Sequence, residues 1–288
     1  MKDTGLVKAE FRWRDSRMVV TAPALDFIDT ISGLSGLPPV PVTAASRRIG
    51  ISGIGISEDE DCFQLVMDTV HLRFRLLDDV LATAGASLAP FLIRDSGFQF
   101  LHGAAVIIDG SAHLLLGPGM AGKSSLALAV WLAGGEVLAD DCIVLNVQDA
   151  TVEAVPRPMR IRLPDGGDPP AHIAALLAAG SGLVGRVRGE KSLFLGRHLP
   201  RMTPVGRRYP IGSIGIVERT GPNGETARCR AGKAAAITGI MRQAEYVEND
   251  PLGVLGAFEG LFKAGRIYHL RVADGEQAAA SRLIGIDP

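Results

Sequence analysis

Eight consecutive residues, Gly117-Pro118-Gly119-Met120-Ala121-Gly122-Lys123-Ser124, fit G-x-x-x-x-G-K-[ST], the spacing of a loop that wraps phosphate. Glycines at 117, 119 and 122 let the backbone turn tightly and aim successive amides at one point. A following helix adds unpaired N–H groups and the positive end of its dipole. Lys123 supplies a point charge for the outer phosphates of a nucleotide, and the Ser124 hydroxyl a ligand for the accompanying magnesium ion. Ser125 completes the nucleotide-binding run. ATP and Mg2+ are therefore the expected cofactors. Downstream, Asp140 and Asp141 stand in tandem, and phosphoryl transfer needs both a metal ligand and a group that orients or deprotonates the attacking hydroxyl. Two adjacent carboxylates can fill both roles.

These residues work only if the elements around them fit. The apolar run Leu114-Leu115-Leu116 reads as a buried strand entering the loop, and Ser125 to Leu132 as the helix leaving it. Gly134-Gly135 ends that helix, and Glu136-Val137-Leu138-Ala139 is a strand with the two aspartates at its exit. Upstream, Phe98 to Ile108 and Ala112 to Leu116 make two strands with Asp109-Gly110 at a hairpin turn. His102 lies in the first of them. On spacing alone it is more readily structural than functional.

A chain of 288 residues is long enough for a well-buried core. Its 30 Lys and Arg against 31 Asp and Glu give no basic surface for nucleic acid and no charge bias toward a membrane. No apolar run approaches the roughly 20 residues of a membrane span, and the N-terminus lacks the apolar core of a signal peptide. These features predict a cytoplasmic protein. Cys62, Cys142 and Cys229 are odd in number and far apart, which argues against a disulfide framework or a zinc site. Cys142 reads as a small buried hydrophobe.

The block from His102 to Asp141 resembles the bacterial HPr serine kinase/phosphorylase family and its shorter HPr-kinase-related branch. In that family a His-Gly pair stands fifteen residues before the first loop glycine and an acidic pair begins twenty-three after it. His102-Gly103 and Asp140-Asp141 hold those distances from Gly117. The resemblance implies an α/β fold, the P-loop kinase core of HPr kinase and phosphoenolpyruvate carboxykinase type. It implies that His102 is an active-site residue, that Lys123 and Ser124 bind phosphate and magnesium, that Asp140 is the base for a seryl hydroxyl, and that Asp141 supports the metal or the transferred group. It further implies a homo-oligomer and, as partner, a peptide or small protein bearing a serine, which for some of the branch is a ribosomally made precursor. Ser125 stands where the bifunctional enzymes carry an acid, and their later glycine-rich signature has no counterpart, so phosphorylase activity is not expected.

Residues 1–76 read as a β-rich accessory region and residues 77–288 as the catalytic domain. Within the first, Ile49 to Ile56 reads as a hairpin strand rather than a second nucleotide loop, and Pro38 to Pro41 as a stiff connector. Leu77 to Ile93 has helical spacing despite Gly85. Val155 to Arg160 extends the resemblance weakly. An alanine-rich helix is expected near 171–179, then a basic, flexible segment from Arg186 to Arg208 that includes Arg188 and Lys191. Arg157 and Lys191 are further candidate cations. A hairpin around Gly221-Pro222-Asn223-Gly224, helices near 232–247 and 251–264, a strand at Arg266 to Val272 and a last helix from Gly275 complete the expectation. A serine kinase acting on a peptide is the leading reading; a kinase of a hydroxylated metabolite and a nucleotide-gated peptide-binding module remain open.

Overall fold

Ala9, Phe11 and Trp13 alternate with Lys8, Glu10 and Arg12, and Met18, Val20 and Ala22 keep the same period around Val19 and Thr21; all six are buried. Period-two patterning of this kind makes strands. In the computed structural model they form an antiparallel pair, β1 (Val7–Trp13) and β2 (Ser16–Ala22), with Phe11 opposite Met18. The structure describes residues 6–42, 47–57, 60–67, 70–93, 98–166, 168–187, 189–245, 250–275, 279–280 and 282–284. Helix α1 (Leu25–Ser35) comes next and was not expected in a region read as β-rich. Its buried Phe27, Ile28, Ile31 and Leu34 recur at helical spacing, and Gly36 ends it in the left-handed conformation. Strands β3 (Arg47–Ser57), β4 (Glu60–Met67) and β5 (Val70–Phe74) complete a sheet of order β1-β2-β3-β4-β5. The Ile49 to Ile56 run is thus a hairpin strand, paired with β4. Helix α2 (Leu77–Ile93) spans the expected residues. Gly85 does not break it; a Cβ there would lie 2.8 Å from Leu34 Cδ1, so the glycine lets α2 approach α1.

The next stretch carries the phosphate-loop motif. It runs through β6 (Gln99–Leu101), β7 (Gly103–Ile108), β8 (Ser111–Leu116), α3 (Lys123–Leu132), β9 (Glu136–Ala139), β10 (Ile143–Asn146) and β11 (Thr151–Glu153). Asp109 and Gly110, at φ 50 and 73, form the tight turn between β7 and β8 that their residue types predict. Where one strand was expected from Phe98 to Ile108 there are two, bent apart at His102.

Strand β12 (Met159–Arg162), helix α4 (Ala171–Ala178), β13 (Leu183–Val187) and β14 (Glu190–Leu195) follow. They group with the start of the chain: one compact unit is Met1–Gly97 with Pro156–Leu199, the other Phe98–Val155 with Pro200–Pro288. The expected boundary at residues 76 and 77 would have separated α2 from β1 to β5, yet α2 packs on that sheet and, on its other side, on β13. At Gly185 of β13 a Cβ would lie 2.4 Å from Ala82 Cβ and 2.8 Å from the Asp78 carbonyl oxygen. The basic segment expected to be flexible from Arg186 to Arg208 begins as sheet, in the order β12-β14-β13, and continues from 196 to 207 as loop and turn. Within it Arg186 donates to the Gly189 carbonyl at 2.9 Å, and Glu190 pairs with Arg160 and Arg162 of β12 at 2.9 and 3.0 Å. Arg188 lies outside the described residues.

The chain closes with β15 (Arg208–Gly221), β16 (Ala227–Arg230), α5 (Lys233–Met241), β17 (Ala244–Glu245), α6 (Pro251–Ala257), α7 (Glu259–Ala264) and β18 (Ile267–Ala273). β15 and β16 are not the expected hairpin, because β18 lies between them, parallel to β15 and antiparallel to β16. The last helix, expected from Gly275, falls mostly outside the described residues. The large mixed sheet has the order β17-β6-β10-β11-β15-β8-β7-β9, with β18 also on β15. Its core takes Leu101, Leu114, Leu116, Leu138 and Ile214 from strands, and Ile240, Val254 and Phe258 from helices. Cys62 and Cys142 are half-buried and Cys229 is exposed, all as free thiols. Among the described residues no helix is long and apolar enough to cross a membrane.

One buried polar group lies on the strand that feeds the phosphate loop. His113 Nδ1 is 2.8 Å from Ser213 Oγ, which contacts the Tyr268 hydroxyl, and the Arg228 guanidinium stacks 3.9 Å from the Tyr268 ring centre. Burial holds the His113 imidazole below its ordinary value near 6.5, opposed by a backbone contact at Ile108 and reinforced by Arg228. On acidification the unfolded chain takes up this proton first. The stability supplied by neutral His113 is therefore complete above about pH 6.5 and declines as pH falls below it, by up to about 1.4 kcal/mol per pH unit. The melting temperature should drop between pH 7 and pH 5, and His113→Gln should flatten that drop. In the first unit, Gly185→Val should push β13 off α2 and cost roughly 1–3 kcal/mol, read as a lower urea midpoint. Gly166→Ala, with nothing within 4 Å of its Cβ, should leave the midpoint unchanged.

Candidate phosphate-binding site

Strand β7 is antiparallel to both β8 and β9, with Gly103 opposite Leu116 and Ala105 opposite Ala139. The start of β7 therefore lies beside the ends of β8 and β9. His102 precedes Gly103, Gly117 follows Leu116 and Asp140 follows Ala139, so register alone gathers them at one edge of the sheet. Gly103 holds the arrangement tight: a Cβ there would lie 2.7 Å from the Leu115 carbonyl oxygen.

The loop leaves β8 at Gly117, where φ is 150 and a Cβ would come within 2.5 Å of the Val217 carbonyl oxygen on β15. Only glycine fits that turn against a neighbouring strand. Left-handed backbone recurs at Met120, φ 65, and Gly122, φ 97. Of the three glycines expected to turn the backbone, Gly119 is not left-handed, and Met120, 71% exposed, carries the turn beside it. The Ala121 N–H reaches the Pro118 carbonyl at 3.3 Å, and Gly122 caps α3, accepting from the Leu126 N–H at 2.9 Å. Nothing lies within 4 Å of a Cβ built on Gly119 or Gly122, so the space over both is open.

Lys123 is 7% exposed, and its Nζ donates to the carbonyls of Gly117 and Pro118 at 2.8 and 2.9 Å. These bonds hold the ammonium across the mouth of the loop and satisfy a charge that would be costly to bury unpaired. Ser124 Oγ donates to Asp140 Oδ1 at 2.7 Å, and Asp140 is 4% exposed. Asp141 turns the other way. Its φ of 65 is a left-handed conformation that costs a non-glycine residue roughly 1–2 kcal/mol, and its Oδ1 lies 3.2 Å from His102 Nδ1. His102 is itself fixed at the bend between β6 and β7, its N–H on the Gln243 carbonyl at 2.6 Å. The site thus has two carboxylate pairs, Ser124 with Asp140 and His102 with Asp141.

Ser125 is exposed on the first turn of α3. Arg157 and Lys191 belong to the other unit. Residues missed from sequence sit on β15, where Ile216 pairs with Leu116. Glu218 and Arg219 follow the carbonyl that abuts Gly117; Glu218 Oε1 meets His269 Nδ1 at 2.8 Å, and Arg219 pairs with Asp274. A register joining segments 100 residues apart has no local signal.

The residues fit a magnesium nucleotide. Among the described residues no group of three or more His, Cys, Asp or Glu side chains could hold a metal by itself. Magnesium does not need such a cage, since it takes one or two protein oxygens, waters and substrate phosphates. Ser124 and Asp140 offer a hydroxyl and a carboxylate side by side at the foot of the glycine-rich loop. That is a hard-oxygen donor set.

No family model matches this chain, and no curated protein matches it. Among solved structures it is similar to the HPr(Ser) kinase/phosphatase from Coxiella burnetii, at 13% identity and a TM-score of 0.30, over 62% of this chain and 89% of that one.

Proposed function

We propose that this protein is a magnesium- and ATP-dependent kinase that moves the terminal phosphoryl group to a hydroxyl side chain, that of a serine in a peptide or small protein. The observation that carries the reading is the hydrogen bond from Ser124 to Asp140, beside Lys123 bridged over the loop mouth. It places a cation, a hydroxyl and a carboxylate at the N-terminus of α3, the equipment that loose phosphoryl transfer requires. Ser124 and Asp140 would hold magnesium, which when bound would offset the charge of the phosphates.

The two carboxylates divide the work. Asp140, bonded to Ser124, serves the metal side. Asp141, paired with His102 and half-exposed, faces the acceptor side. This reverses the roles implied by the family resemblance, where Asp140 was the base, because the contact with Ser124 falls to Asp140. In the transfer the acceptor oxygen bonds to the terminal phosphorus as the bond to the bridging oxygen breaks, and the hydroxyl proton passes to Asp141. His102 holds that carboxylate in place. A buried Lys123 and an ordered loop supply positioning before the chemistry begins.

Incubation with ATP, magnesium and serine-containing peptides, followed by mass spectrometry, should show the addition of one phosphoryl group. Asp141→Asn should slow transfer roughly 10²- to 10⁴-fold while leaving nucleotide affinity near wild type. Asp140→Asn and Ser124→Ala should instead weaken magnesium-dependent nucleotide binding. Retention of full transfer by Asp141→Asn would return the base to Asp140. Failure of the wild type to bind ATP with magnesium would remove the kinase reading altogether.

A further inference from the structure

The two edges of the five-stranded sheet in the first unit are treated differently. Along β1 the proline-rich segment closes the edge, with Glu10 and Val40 exchanging backbone hydrogen bonds of 3.0 and 2.9 Å. Along β5, among the described residues, no strand pairs on the outer side. An open edge strand is a template for another chain, and folds ordinarily shorten, charge or cover it.

What β5 offers can be read from its register. Met67 and Val70 pair across a two-residue connection, and such a connection is closed by a hydrogen-bonded pair. By parity, Val70, Leu72 and Phe74 give their backbone groups to β4, whereas those of His71 and Arg73 point outward. Side chains alternate on the same period. Leu72 stands opposite the fully buried Leu65 on the core side, continued at either end by the exposed Val70 and Leu76. On the other side His71 and Arg73 are exposed, with exposed Arg75 beyond the strand. The edge therefore combines outward N–H and C=O groups, an incompletely covered apolar row and a basic row.

We propose that the open edge of β5 takes an extended peptide of alternating apolar and acidic residues as a sixth strand. Main-chain hydrogen bonds would supply affinity, and alternate side chains would supply selectivity. The apolar side chains would cover Val70 and the row beside Leu72, while the acids would lie across from Arg73. A second copy of this chain fits worse, because pairing edge to edge would bring the Arg73 side chains of both copies onto one face, and like charges across a ladder are destabilising. Identifying the segment as part of the phosphate acceptor rests on the proposed kinase reading; the docking itself does not. Tethering an acceptor in this way would raise its effective concentration at the enzyme.

The test uses the full chain without nucleotide and two fluorescein-labelled peptides, one alternating Val and Glu, the other Val and Lys, read by fluorescence anisotropy at low salt. The Val-Glu peptide should bind saturably and the Val-Lys peptide at least about tenfold more weakly. His71→Pro removes an outward N–H and no ladder bond to β4, and should weaken binding at least about tenfold with an unchanged circular dichroism spectrum. Should that variant unfold, Arg73→Glu still decides, since it should reverse the preference between the peptides. Equal affinity for both peptides, or binding indifferent to Arg73→Glu, would overturn the proposal, as would a dimer of this chain that His71→Pro dissociates. ATP binding, assayed separately, reports on the kinase reading, so either idea can fail alone.

Discussion

Everything at the site depends on the register of one central strand. Because β7 pairs Gly103 with Leu116 on one side and Ala105 with Ala139 on the other, the residues just beyond those strand ends meet at one edge. β7 is buried on both faces from Gly103 to Ile107, so a slip of one residue would exchange the two and force both to repack. The glycine at 103 locks the register further, since no other residue fits against the Leu115 carbonyl. The juxtaposition of residues 102, 123, 124, 140 and 141 is a consequence of that pairing, with Leu114, Leu116, Leu138 and Ile214 in the core behind it.

Two buried charges of opposite sign flank the loop, Lys123 and Asp140, and each is held by hydrogen bonds rather than left to water. In a low-dielectric setting such bonds are stronger and the groups reorganise less. Asp141 is the counterexample on the same turn, half-exposed, left-handed and facing His102. The strain is small but local, and it aims adjacent carboxylates in different directions. One sequence feature, an acidic pair, thereby becomes two chemically distinct groups.

Much of this was legible before any coordinates. The phosphate-loop motif, the strand before it, the helix after it, the turn at Asp109-Gly110 and the helix from Leu77 to Ile93 are local signals, set by glycine conformation and apolar period. The different partners of Asp140 and Asp141 were not legible, because they depend on one φ angle. Nor was the association of β15 with β8, which joins distant segments in parallel. Helix α1 escaped because its apolar residues sit between strands in a short stretch broken by Ser32 and Gly33. The start of the basic run from Arg186 is ordered in a small sheet, because charge does not by itself preclude a strand: the Gly189 carbonyl accepts from Arg186, and Glu190 and Ser192 accept from Arg160 on the neighbouring strand. The supposed hairpin at Gly221 to Gly224 failed for a related reason: turn residues report a reversal, not which strand lies alongside.

The convergence of three strand ends on one bound phosphate can be tested by hydrogen–deuterium exchange with and without ATP and magnesium. The account predicts that amides of residues 117–124 gain protection together with those of His102 and residues 139–141, and that Lys123→Ala removes all of it. Protection confined to another part of the chain, or a loop that responds while 102 and 139–141 do not, would contradict it.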